Sequence, residues 1–89
     1  MYDYETQKKE LFTDEGQKAF IKVRDNVKEL VKKTGAIRML EAMSIPMRGS
    51  SFDTWTRMAC VDRMVELNDL VEIETNHWGQ DRVFVKGFY

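Results

Sequence analysis

Trp55-Thr56-Arg57-Met58-Ala59-Cys60-Val61-Asp62-Arg63-Met64-Val65-Glu66-Leu67-Asn68-Asp69-Leu70-Val71-Glu72-Ile73 joins two periodicities at one corner. Up to Asn68 the apolar residues recur at helical spacing. Met58, Val61 and Val65 share a stripe flanked by Cys60, Met64 and Leu67. Phe52, Trp55, Thr56, Ala59, Asp62, Arg63 and Glu66 fall on the other side of a 100° wheel. Ser50, Ser51 and Asp53 offer N-caps for this helix. After Asn68-Asp69 the period becomes two: Val71, Ile73 and Thr75 alternate with Glu72 and Glu74, as in a half-buried strand. Asn68 is suited to the corner because asparagine tolerates left-handed backbone angles.

Downstream, residues 76–81 are turn formers, and Arg82-Val83-Phe84-Val85-Lys86 is a second β-branched and aromatic strand. The two strands make a β-hairpin with a loop of about five or six residues. Upstream, Ser44-Ile45-Pro46-Met47-Arg48-Gly49-Ser50-Ser51 contains the only proline and is a connection. Met39 to Met43 is a helical turn or two. Ala36-Ile37-Arg38 is either a brief strand or the lead-in to that helix. Phe20, Val23, Val27, Leu30 and Val31 mark an amphipathic helix from about Asp14 to Lys33. Thr13 is its N-cap, Asp14 and Glu15 sit at the positive end of its dipole, and Gly35 is its C-terminal stop. Residues 1–12 are mostly polar and read as an arm or an extra half-helix before a domain spanning residues 13–89.

The whole is an α+β domain of three helices and a C-terminal two-stranded hairpin. At 89 residues its core is thin, with little volume for a deep catalytic pocket. Formal net charge is −1, so phosphate binding has to rely on a local basic patch, not an overall excess. Cys60 is the only cysteine, which rules out an intrachain disulfide and fits a reducing compartment. No apolar run approaches the ~18 residues of a membrane span, and the N-terminus lacks the apolar stretch of a signal peptide. The expected location is therefore cytoplasmic.

From about Thr13 to Lys86 the order of elements resembles the winged helix-turn-helix superfamily, with Trp55 to Ile73 as the third helix entering the wing through a "Leu-x-x-Leu-Val" corner. The chain also resembles a group of short, uncharacterised bacterial and prophage-type proteins. These share a "Trp-x-x-Met-Ala-Cys-Val-Asp-Arg" helix and an "Arg-Val-Phe-Val" end. Two features depart from the superfamily pattern. The connection before the third helix is about eight residues, against three or four in a standard helix-turn-helix. Asn68-Asp69 stands where many members have glycine.

The resemblance implies a double-stranded DNA ligand, with the third helix in the major groove and the wing against the backbone. The expected nucleic-acid contacts are then Thr56 and Arg63 on the helix, with Arg82 and Lys86 on the wing. Asp62 and Glu66 lie beside them, and from Arg48 to Leu70 three arginines face four carboxylates, a balance that suits a solvated surface. The alternative is a protein–protein interaction module, a regulatory adaptor that uses Phe52, Trp55 and Trp78 as aromatic anchors. Lys18, Lys22, Arg24, Lys28, Lys32 and Lys33 make the first long helix locally basic, the usual dress of a soluble helix and a lesser candidate for phosphate contact. Catalysis is not expected. One histidine and one cysteine make no metal-ligand cluster, Cys60 sits near the buried stripe, and no phosphate-binding or dinucleotide motif is present. No cofactor is expected.

Overall fold

A computed structural model describes residues 2–44, 53–73 and 82–87. Among them the chain forms α1 (Tyr4–Gln7), a 3-10 turn (Lys8–Phe12), α2 (Asp14–Thr34), β1 (Ala36–Arg38), α3 (Met39–Met43), α4 (Thr54–Glu66), β2 (Leu70–Glu72) and β3 (Val83–Lys86).

The helix ends follow local chemistry. The Thr13 side chain accepts from the Gly16 N–H at 2.9 Å, and Asp14 and Glu15 lie in the first turn of α2. Such a cap contributes about 1 kcal/mol. Gly35 closes α2 at φ 85°, where a side chain would be disfavoured. Asp53 caps α4 by accepting from the Thr56 N–H at 2.8 Å. At the far end, Asn68 takes φ 64°. Its N–H donates to Val65 O and that of Asp69 to Met64 O, the paired bonds of a Schellman turn. The corner between helix and strand is thus made by the asparagine, without a glycine.

The sheet is antiparallel, in the order β1-β3-β2. The expected two-stranded wing is therefore corrected to three strands. Ala36-Ile37-Arg38 resolves as a strand because Ile37 faces Phe84 across the ladder and both are fully buried. The expected helix count of three also rises, because of the two readings of residues 1–12 it is the extra helical piece that forms, over residues 4–12. Leu11 within them is 1% exposed and belongs to the core. That core also holds Phe20, Val23, Val27 and Val31 of α2, Met39 and Ala42 of α3, six side chains' worth of apolar surface from α4 and β2 including Met58, Val61, Met64 and Leu70, and Phe84. Leu30 and Val65 pack against its margin.

Two details of the strand and helix faces differ from expectation. The alternation of β2 is present in the opposite phase: Leu70 is buried, whereas Val71 and Ile73 are 37% and 50% exposed. Leu70 reaches the core, and Glu72 can point the same way because Arg82 neutralises it. On α4, Thr56 and Ala59 are buried although the wheel sets them opposite the Met58 stripe. This helix is enclosed by α1 and the 3-10 turn on one side and by α2, α3 and β2 on the others.

Candidate interaction surfaces

Arg82 organises the middle of the molecule. Its Nη2 lies 2.6 Å from Asp62 Oδ1 on α4 and 3.0 Å from Glu72 Oε1 on β2, and its Nε donates to Glu72 Oε2 at 3.0 Å. Its guanidinium also stands over the Phe84 ring, 5.2 Å from the centroid. Burial works against the charge, but the bonds to Glu72 and Asp62 outweigh it and hold the group above the ordinary arginine range. Arg82 is thus a strut between strand and helix, and it has no fork left for a phosphate.

The other expected nucleic-acid contacts are dispersed. Thr56 is 7% exposed, so its hydroxyl does not face outward to meet a base edge. Arg63 pairs with Glu66 at 3.2 Å and stands over the Phe12 ring at 5.2 Å. Lys86 is exposed at the end of β3 and has no ion pair among the described residues. It lines a groove of about 550 Å³ between α2 and the sheet, together with Lys28, Lys32, Asp25, Glu29 and Asp69 over a floor of Val31 and Leu70. Three lysines against three carboxylates leave the groove without net charge, and Lys28 is already 3.4 Å from Asp69. The structure brings Lys86 towards the basic end of α2 and leaves Thr56, Arg63 and Arg82 as packing or ion-pair residues.

Of the expected aromatic anchors, Trp55 is 42% exposed near the start of α4. Phe52 and Trp78 lie outside the described residues, as do the connection and the hairpin loop that carry them.

The sheet presents a surface that sequence reasoning missed. Ladder register puts Ile37, Phe84, Leu70 and Glu72 on one face and Ala36, Arg38, Val83, Val85 and Val71 on the other. Ile73, whose N–H donates to Val83 O at 3.1 Å, continues the second set. Four β-branched side chains therefore line this face, Val71 and Ile73 exposed and Val83 and Val85 half-buried. The β1 edge beside it is closed by local bonds. Thr34 donates its hydroxyl to Ala36 O at 3.0 Å, and the Arg38 N–H donates to Glu41 Oε1 at 3.0 Å. Such capping blunts strand addition, so it is the face and not this edge that is open. The signal was the unbroken pairing of valines in β3 with Val71 and Ile73, legible only once the strand phase is known.

Cys60 is fully buried, and burial pushes its thiol up to about 12, against a smaller opposing pull from Arg57. It is a packing residue with negligible thiolate at neutral pH. Among the described residues no three His, Cys, Asp or Glu side chains are grouped to hold a metal ion, and no helix is long and apolar enough to cross a membrane.

Comparison with known proteins gives no match: no family model, no curated protein and no solved structure is similar to this chain.

Proposed function

We propose that this chain is a winged-helix domain acting as a non-catalytic protein-interaction module, presenting the outer face of its sheet together with Trp55. The order helix, strand, helix, helix, hairpin, with β1 beside β3, supports the winged-helix arrangement. The observation that carries the functional reading is the aliphatic row on that face, in which Val71 and Ile73 are exposed and Val83 and Val85 half-buried beside them. Contiguous β-branched area on a sheet face is what a protein partner buries. Double-stranded DNA is the weaker ligand. The α4 stripe of Asp62 and Glu66 is acidic and already engaged by Tyr2, Tyr4 and Arg82, and of the four expected nucleic-acid residues only Lys86 is free to meet a phosphate. The domain is proposed as a cytoplasmic adaptor without a cofactor.

Affinity capture with nuclease treatment tests this. The tagged chain retains a protein partner after nuclease, and Val71→Lys with Ile73→Lys releases it. In parallel, mixed-sequence DNA is not shifted at low salt. A DNA shift that weakens steeply with salt and with Lys32→Glu plus Lys86→Glu overturns the proposal in favour of a nucleic-acid ligand.

A further inference from the structure

The segment before α2 is held on α4 by polar bonds to two carboxylates together with apolar packing of Leu11, Tyr2 and Tyr4 on the core. The Tyr2 hydroxyl donates to Asp62 Oδ2 and the Tyr4 hydroxyl to Glu66 Oε1. Lys8 Nζ lies 3.8 Å from Glu66 Oε2 and over the Tyr4 ring, while Leu11 fills the core beneath. Ala59, Asp62 and Glu66 follow i, i+3, i+7 spacing, so the seat is one stripe of α4.

What keeps the segment on its own α4 is a corner of one non-helical residue. Thr13 is extended, with φ −81° and ψ 161°, and its hydroxyl donates to Glu10 O at 3.0 Å while accepting from Gly16 N–H. Gln17 Nε2 donates to Leu11 O. A Cβ on Gly16 would overlap the Glu10 carbonyl and meet Thr13 Oγ1 at 2.8 Å. The fold therefore closes here only with glycine. From Tyr4 to Thr34 the chain contains no proline, and every residue but Thr13 is already helical. If Thr13 turned helical, residues 4–34 would become one rod of about 46 Å, which carries the segment away from its own α4.

We propose that the Asp62–Glu66 stripe of α4 is an exchangeable docking site, and that its second occupant is residues 2–12 of another copy of this chain. The donors, the carboxylates and the Leu11 socket are the same in both arrangements, so the choice rests on the corner and on concentration. A one-residue connection gives the chain's own segment an effective concentration of about millimolar or more. The intact chain is thus monomeric at micromolar concentration. Blocking the corner shifts the balance to exchange. This surface is separate from the outer sheet face and stands without the functional reading above.

Gly16→Ala is the decisive variant, because its methyl blocks the corner and alanine is the better helix former. In sedimentation equilibrium at about 100 µM, roughly a tenth of the effective concentration, the parent chain sediments as a monomer and Gly16→Ala as a dimer. A mixture of Gly16→Ala chains carrying Tyr4→Cys or Glu66→Cys then gives a cross-linked pair with a short bifunctional thiol reagent. A folded Gly16→Ala monomer, or a dimer without that cross-link, overturns the proposal. If Gly16→Ala fails to fold, the two cysteine variants with Gly16 intact are refolded together at about millimolar concentration. Cross-linking between chains supports exchange, and its absence refutes it.

Discussion

On the inner face of the sheet, Arg82 lies between Asp62 and Glu72 over the ring of Phe84; on the outer face, Val71 and Ile73 are exposed with Val83 and Val85 half-buried beside them. The inner face joins the buried Ile37, Phe84 and Leu70 to a paired ion network, while on the outer face branched aliphatics stand beside Arg38 instead of a mostly polar surface. The inner charges are tolerated because each is paired and hydrogen-bonded, which offsets the loss of water. The outer aliphatics have no such local explanation. Under the proposed function they are the area a partner would bury, and the contrast between the faces then separates residues that hold the fold from residues of the interaction surface.

The largest effect expected is on the inner face. Phe84 is fully buried, and Phe84→Ala costs about 3–5 kcal/mol. A domain of this length has a total stability of about 4–13 kcal/mol, so urea denaturation finds this variant close to unfolded. Arg82→Ala comes next. It strands Asp62 and Glu72, a loss of about 3–5 kcal/mol for a fully buried pair, reduced to about 2–3 kcal/mol because the three side chains keep 14–26% of their exposure. Arg82→Met leaves the same carboxylates unpaired while keeping much of the packing over Phe84, so its smaller loss measures the stacking separately. If Arg82→Ala costs less than about 0.5 kcal/mol, the guanidinium is not a strut and its availability to a phosphate has to be reconsidered.

A smaller effect concerns the tyrosine contacts on α4. The Tyr4 hydroxyl is the main reason the Glu66 carboxyl sits below its ordinary range; burial opposes this, and Arg63 and Lys8 add to it. A depressed carboxyl contributes stability that is present above its unfolded pKa and is lost as pH falls through the folded one. Acidification below about pH 4 therefore loosens residues 2–12 from α4. The opposite limb belongs to the tyrosines. Burial first, then hydrogen bonding to Asp62 and Glu66, raises Tyr2 and Tyr4 above the ordinary phenol range. Their contribution is intact below about pH 10 and disappears as pH rises through the raised values. Tyrosinate absorbance checks this: two of the three tyrosines ionise later in the native chain than in urea. Coincident titration in both states would show that the segment is not seated.

Much of this was legible in the sequence, and the exceptions have physical causes. Thr13, Gly35 and Asn68 announce their caps because capping is decided within a few residues. The stripe of Phe20, Val23 and Val27 announces α2 for the same reason. Ile37 did not announce β1, since three residues define no period and the strand exists only by pairing with β3. The phase of β2 is not legible locally because Glu72 points inward, and its partner Arg82 lies beyond the turn. Tyr2 and Tyr4 meet carboxylates some 60 residues away, a link that no local pattern encodes. Ala59 was the available hint: a small residue on the supposedly open side of a helix marks a close neighbour.

The smallest expected effect is the most informative about function. Val71→Thr and Ile73→Thr keep the β-branched shape that the strand favours and remove only apolar area that is already exposed. Each should change stability by no more than about 0.5 kcal/mol, as at other surface positions. Threonine on a partner-facing surface is not neutral, however, because its hydroxyl must be desolvated when the partner docks. The pair together therefore weakens protein capture while leaving the urea midpoint unchanged. If the double variant instead loses more than about 1 kcal/mol of stability, the outer face is being covered by the chain itself. The valines would then be core residues, and no interaction surface would remain on the sheet.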